Sequence, residues 1–307
     1  MNARADIPVY APGRYSISNE EYQAAPAVSK SRLDEFSKSP RHYYLRYEAP
    51  NRPVAEQTDA LIIGSASHCA VLEPDLFPSR YVCPPPTAPK RPSVTQLNAK
   101  KPSEETVAAI EWWARFNEDH AGKVILTPDQ FAECLALRDC VHADKNASTL
   151  LEHGDAEQSF FAIDPETELL RKVRPDFITD GGVFIDLKFV RDASPWGFGR
   201  ACASYRYDVQ AAYYPDTVAL SIDASVSEFI FIAVEKNPHG PVCATYYCEP
   251  EMIISGRTKY QREIAAMAEC RANRRWPGYT PDIQNVLFPT YAMQGVDMED
   301  DEPTIIL

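Results

Sequence analysis

Residues 169–190 read LLRKVRPDFITDGGVFIDLKFV. Two runs rich in β-branched and aromatic residues, 169–178 and 183–190, flank Thr179-Asp180-Gly181-Gly182, which supplies the left-handed turn chemistry of a hairpin. The runs are therefore expected to pair antiparallel. In the second run the strand period of two puts Val183, Ile185, Leu187 and Phe189 on one face, toward a core, and Asp186 and Lys188 on the other. Centring the turn between Asp180 and Gly181 sets Asp176 opposite residue 185 or 186, with its carboxylate about 5 Å from that of Asp186. Lys188 shares the face of Asp186, and a regular first strand would put Lys172 and Arg174 on the face of Asp176. Opposed carboxylates repel, and a divalent cation relieves the repulsion because Mg²⁺ prefers hard oxygen ligands. A solvated hairpin face with alternating charges is the other reading, and the bare spacing of two aspartates and a lysine does not choose between them.

Outward from the ribbon, strand character continues at 158–163, 228–235 and 242–248, with a helix over about 201–220 between. Earlier the pattern is helical. Ser29 and Ser31 are candidate N-caps for a helix through Phe36, Pro40 opens another through Tyr47, and further helices are expected over about 56–72, 104–117 and 128–151. A closing helix spans 252–274. This order gives an α/β (α+β) fold: a small mixed sheet flanked by helices, with an N-terminal helical elaboration. Residues 84–103 mix proline with Lys and Arg and read as an exposed, flexible insertion; residues 286–307 form an acidic tail ending in apolar PTIIL, read as unpacked. The organisation is then an extension over 1–20, one domain over 21–285, and the tail.

The chain has 307 residues, 45% hydrophobic and 24% charged, with 31 basic and 44 acidic residues and a net charge of −13. That balance excludes a protein that coats nucleic acid by bulk electrostatics, so any DNA contact must be local. No apolar run is long enough for a bilayer and none follows a basic start, so a cytoplasmic protein with no membrane contact is expected. Eight cysteines lie scattered with no CxxC pair, which favours reduced thiols over zinc or disulfides.

The ribbon resembles the PD-(D/E)XK nuclease core, with Pro175-Asp176 as its PD and Asp186-Leu187-Lys188 as its (D/E)XK. Segments SKSRLDEFSKSPRHYY (29–44), GSASHCAVLEP (64–74), AEQSFFAIDPETELLRKVRPD (156–176), YDVQAAYY (207–214), FIFIAVEK (229–236) and RRWPGY (274–279) follow in the order of the RecE-like exodeoxyribonuclease VIII branch. The resemblance covers about residues 20–280. It implies a restriction-endonuclease-like fold and assigns roles by position. Gly64 and His68 match the family's GxxxH, with His68 as a metal ligand and Gly64 leaving room for the sheet or substrate. Glu157 matches an acidic position upstream of the PD, as a further metal or water contact against a surface-glutamate alternative; Glu73 is a weaker candidate of the same kind. Gln210 and Tyr214 match the QxxxY motif of RecB-like and RecE-like nucleases and share one helical face, although Pro215 is expected to kink or end that helix.

The implied chemistry is hydrolysis of a DNA phosphodiester by water. Asp176, Asp186, His68, the Leu187 carbonyl and Glu157 would hold Mg²⁺, with Mn²⁺ as the alternative. Lys188 would orient the water or stabilise the transition state. The branch implies 5′ to 3′ digestion of one strand from a double-stranded DNA end, a single-strand annealing protein as partner in phage-type recombination, and room for a ring-shaped homo-oligomer. Two alternatives stay open: an endonuclease or repair-complex nuclease module, and a non-catalytic DNA-binding protein on a nuclease scaffold.

Overall fold

Pro175 decides how the ribbon folds, because proline has no N–H to give a ladder and breaks regular pairing at its position. In the computed structural model, which describes residues 10–52, 58–223, 228–280 and 282–287, the first run is cut there into two strands that join different sheets. In chain order the elements are β1 (Gly13–Tyr15), α1 (Asn19–Ala24), α2 (Lys30–Lys38), α3 (Pro40–Tyr43) continued by a π-type turn over Tyr44–Glu48, α4 (Asp59–Leu72), α5 (Phe77–Arg80), β2 (Tyr81–Val82), α6 (Val94–Leu97), α7 (Glu104–Asp119) and β3 (Val124–Ile125). Then come α8 (Pro128–Ala143), α9 (Lys145–Leu150), β4 (Gly154–Ala156), β5 (Ser159–Ile163), β6 (Leu170–Val173), β7 (Phe177–Thr179), β8 (Val183–Val190), α10 (Pro195–Ser204), α11 (Tyr207–Ile222), β9 (Glu228–Glu235), β10 (Val242–Tyr247) and α12 (Pro250–Asn273).

The central sheet has the order β10-β9-β8-β7-β4. It is mixed: β8 runs parallel to β9, and the other pairs are antiparallel. The parallel pair needs a crossover, which α10 and α11 provide. A second, antiparallel sheet has the order β1-β5-β6, and β2 pairs with β3. The hairpin register is Phe177↔Ile185 and Ile178↔Phe184, so the ladder, continued by one residue, sets Asp176 against Asp186, one of the two partners the turn chemistry allowed.

Both faces of the central sheet are covered, which is the α/β architecture read from the sequence. Ile185, Leu187, Ile232 and Val234 pack on Val71 of α4, Leu137 and Val141 of α8 and Ala147 of α9. Phe184, Phe229 and Phe231 pack on the other side against Val209, Ala212 and Tyr213 of α11 and Tyr260 and Ile264 of α12. Asp186 and Lys188 therefore lie in an interior layer, and Asp186 is only 1% exposed. The solvated-face reading of the hairpin does not survive that burial.

Several expected elements are corrected. The helix over 128–151 is two helices, because the Asp144 side chain accepts the Ala147 N–H at 2.8 Å and caps a new start. The 201–220 helix is also two: α10 begins earlier, with Ser194 accepting from Gly197 N–H, and Arg206 in a left-handed conformation (φ 55°) separates it from α11. Pro215 does not end α11, which runs on to Ile222. Buried Tyr213, Thr217 and Val218 hold the segment on both sides of the proline, and Asp216 is clamped by Arg257 (2.7 and 2.8 Å) and Tyr260 (2.5 Å). The short strand β4 carried no readable signal. The 84–103 insertion contains only the short α6, and Pro89 O accepts the Trp113 indole N–H at 3.0 Å, tying it to α7. All eight cysteines are free thiols. Among the described residues no helix is long and apolar enough to cross a membrane. The tail from Asp297 and the expected helix start at residue 56 lie outside the described residues.

Candidate active site

The break at Pro175 re-aims the side chains around it. Lys172 does not share the face of Asp176: its ammonium is buried and donates to the carbonyls of Tyr22 (2.6 Å), Gln23 (3.2 Å) and Ala25 (2.9 Å), fastening the end of α1. Arg174 turns to Glu157, with Nε 2.7 Å from its carboxylate, and also donates to Ile17 O (2.9 Å) and Ser159 Oγ (3.1 Å). Glu157 sits in a left-handed conformation (φ 53°) between β4 and β5, and its N–H donates to the Asp176 carbonyl at 3.0 Å. Such a backbone costs about 1 kcal/mol or more in a non-glycine residue and persists where its surroundings fix it.

Asp176 leads into β7, and its Oδ2 accepts the Leu187 N–H at 2.8 Å. The N–H and C=O of one strand residue project to the same edge, so the Leu187 carbonyl also faces the Asp176 side of β8, away from β9. His68, one turn beyond Gly64 on α4, brings Nδ1 to 3.3 Å from Asp176 Oδ2 and meets the Phe189 ring edge-on at 5.4 Å. A Cβ added at Gly64 would meet nothing within 4 Å, so the glycine is not there to make room for the sheet. Ligand atoms of His68, Glu157 and Asp176 lie within 4.8 Å of one another. Glu73 is elsewhere engaged, capping α4 and pairing with Arg80 at 2.5 Å.

Asp186 is held separately. Gln210 Nε2 donates to its Oδ1, and Lys188 Nζ lies 2.5 Å from Oδ2 as an ion pair, although Oδ2 has no hydrogen bond of regular geometry. Lys188 also stands over the Tyr207 ring, 4.7 Å from its centroid. Tyr214, four residues after Gln210 on α11, packs on the core and has no hydrogen-bond partner among the described residues. The sequence brought Asp176, Asp186, Lys188, His68, Glu157 and Gln210 to one place and placed Tyr214 beside them. It gave no sign of the Arg174–Glu157 pair, which depends on the strand break, nor of Tyr207 beneath Lys188.

The electrostatics follow from crowding. Burial, and then the charge of Asp186, push the Asp176 carboxyl up to about 8. Burial and the Asp176 charge also raise Glu157, against the pull of Arg174. Burial lowers the His68 pKa, which keeps the imidazole neutral and able to ligate. Burial alone would lower Lys188, but Asp186 and Asp176 outweigh it and hold the ammonium charged. Burial raises the Tyr214 phenol, reinforced by Tyr22, Asp186, Asp176 and Glu157. Two carboxylates whose ionisation is suppressed and a neutral imidazole form a donor set that fits a hard divalent cation, with Asp186 held beside it by Lys188 and Gln210.

Curated proteins give no sequence match. Among solved structures, a candidate exonuclease from Eubacterium rectale aligns over 92% of this chain and 100% of its own, with a TM-score of 0.52 at 12% identity, a likeness of fold. The family model described as a PDDEXK-like domain of unknown function (DUF3799) matches residues 29–286. The ribbon, its buried Asp186–Lys188 pair and that match agree: the chain belongs to the PDDEXK-like DUF3799 family.

Proposed function

We propose that the chain is a metal-dependent deoxyribonuclease that digests linear double-stranded DNA from its ends, with the 5′ to 3′ polarity of the RecE-like exodeoxyribonuclease VIII branch. The observation that carries this reading is the His68–Glu157–Asp176 donor cluster beside a buried Asp186–Lys188 pair on one strand. His68, Glu157, Asp176, Asp186 and the Leu187 carbonyl are the groups to hold Mg²⁺ or Mn²⁺. Bound there, the cation would acidify water and offset negative charge on the phosphate. Lys188 is kept as an ammonium by the two aspartates, so it can donate to the attacking water or to a phosphate oxygen as charge grows. Gln210 fixes the Asp186 carboxylate through its amide, which in turn fixes Lys188. Arg174 fixes Glu157. The overall reaction joins a water oxygen to phosphorus and releases the leaving oxygen, with no covalent enzyme intermediate.

The polarity, a single-strand annealing partner for the 3′ tail and a ring-shaped oligomer rest on the RecE-like resemblance. The test is digestion of end-labelled linear duplex, both strands resolved, beside a covalently closed circle, in Mg²⁺ and in EDTA. The expected result is stepwise loss from 5′ ends, an intact circle, no cleavage in EDTA, and a rate reduced at least about 100-fold by Lys188→Ala, within the range for losing a positioned charged group. Nicking of the circle would move the assignment to an endonuclease. DNA that is bound but left whole by the wild-type chain in Mg²⁺ or Mn²⁺ would leave only a binding role.

A further inference from the structure

The turn between α10 and α11 is held more firmly than a two-residue connection requires. Lys30 Nζ donates to the Tyr205 carbonyl at 2.7 Å while paired with Asp34 at 2.7 Å. Arg206, in its left-handed conformation, reaches Leu33 O (3.2 Å), Asp34 (3.3 Å) and Glu263 (2.5 Å). Two cations and two carboxylates thus pin Tyr205 and Arg206 to α2 and α12. What the pinned turn presents is aromatic. The Tyr207 ring rests on Phe231 at 5.5 Å, carries the Lys188 ammonium at 4.7 Å from its centroid and the Lys30 ammonium at 5.6 Å, and stacks with Tyr205 at 5.8 Å and 26°. Tyr205 is 63% exposed even so, which leaves its outer surface open. An exposed tyrosine is commonplace; one stacked on the ring beneath the site's lysine, on a turn locked by four charged side chains, is not.

We infer that Tyr205, seated on Tyr207, is a stacking platform for a base of the strand entering the site, so that the site takes its nucleic acid as an unpaired strand end. A ring offers a π-face to any base, which suits an enzyme that must accept every sequence. The base must first leave its duplex neighbours, and this makes an unpaired terminus the substrate form the platform recognises. Lys188 and Lys30 lie one ring inward, where the strand's phosphates would pass. The inference rests on the nuclease reading for its position in a reaction, but binding tests it independently of cleavage.

The test compares the wild type with Tyr205→Ala, Tyr205→Phe and Tyr205→Trp in two assays. In EDTA, where no cleavage is expected, binding is read by fluorescence of a short single-stranded oligonucleotide with a terminal 2-aminopurine, whose emission is quenched on stacking. In Mg²⁺, cleavage of a duplex with a short unpaired end is followed for KM and kcat. Tyr205→Ala should weaken binding and raise KM about tenfold, abolish the quenching, and leave kcat far less affected, the scale expected for one lost base–aromatic stack. Phe and Trp should restore all three, since the ring and not the hydroxyl is needed. Tyr205→Ala with unchanged affinity and quenching, or Phe as defective as Ala, overturns the platform. A wild type that binds and quenches without cleaving upholds the platform and sinks the nuclease; one that cleaves while Tyr205→Ala is indistinguishable does the reverse.

Discussion

Asp176 combines two demands that conflict until a cation arrives: its carboxylate must be charged to ligate, and its surroundings oppose that charge. Without metal the folded group is pushed up to about 8 from a usual value of 3.8. Between those values the folded chain keeps a proton that the unfolded chain has released, so this group's contribution to stability declines as pH rises across the window and is gone above about 8. Glu157, also raised, acts in the same direction. His68 and Lys172 act oppositely, since burial lowers both, Lys172 to about 7. The clean comparison is therefore between the wild type and Asp176→Asn. In EDTA the wild type should lose melting temperature relative to Asp176→Asn steadily as pH is raised from 5, with the loss levelling off above about 8. Added Mn²⁺ should flatten the wild-type curve by binding the ionised form and leave the variant nearly unmoved. Parallel curves for the two proteins in EDTA would show that Asp176 is not the strained group. The meeting of Asp176 with Asp186 was legible because the turn chemistry and the period of two fix which residues pair across the ribbon, whereas His68, Glu157 and Gln210 were marked only by the family resemblance. A regular strand through Pro175 would put Arg174 on the face of Asp176; the break between β6 and β7 turns it to Glu157 instead.

At the scale of elements, α11 is the part whose position matters most, since it carries Tyr207, Gln210 and Tyr214. Gly256 sets that position from α12: a Cβ there would run into the Asp208 carbonyl and the backbone of Val209 on α11. Both atoms belong to buried backbone, which cannot swing aside as a flexible side chain does. Gly256→Ala should therefore cost about 1–3 kcal/mol by overpacking, and displace Gln210 from Asp186 enough to slow cleavage by more than the stability loss explains. Gly199→Ala on α10 is the control, because a Cβ there meets nothing within 4 Å and α10 should tolerate or gain from it. Denaturant midpoints and kcat measured on both variants check this, and equal behaviour of the two would refute the close-approach argument. The sequence specified β8 and β9 to the residue because long β-branched and aromatic runs leave few other choices. It failed where a single polar side chain redirects the chain, as Asp144 does by capping α9, and where burial overrides a local preference, as around Pro215.

For the whole molecule, the net charge of −13 bounds how the chain can meet a polyanion. A protein that follows duplex DNA over many phosphates needs a broad basic surface and shows a steep loss of affinity with salt, of about 0.9 in log–log slope for each phosphate neutralised. Here the cations nearest the site are already committed: Lys188 to Asp186, Lys30 and Arg206 to Asp34, and Arg174 to Glu157. Few remain to release counterions from DNA, while the acidic exterior repels duplex that is not entering the site. Binding should then depend on the strand end and on the cation, and little on bulk electrostatics. The expected result is a salt slope no steeper than about −3 for end-containing substrate in Ca²⁺ or EDTA, with closed circular duplex bound at least tenfold more weakly than linear duplex of equal length. A slope near −6 or beyond, or equal affinity for circle and linear forms, would mean that a basic track engages the duplex flank. The sequence carried this much through charge alone. It could not show where the path lies, because the groups that define it arrive from α2, α4, β8 and α11 and meet only once the sheet is covered on both faces.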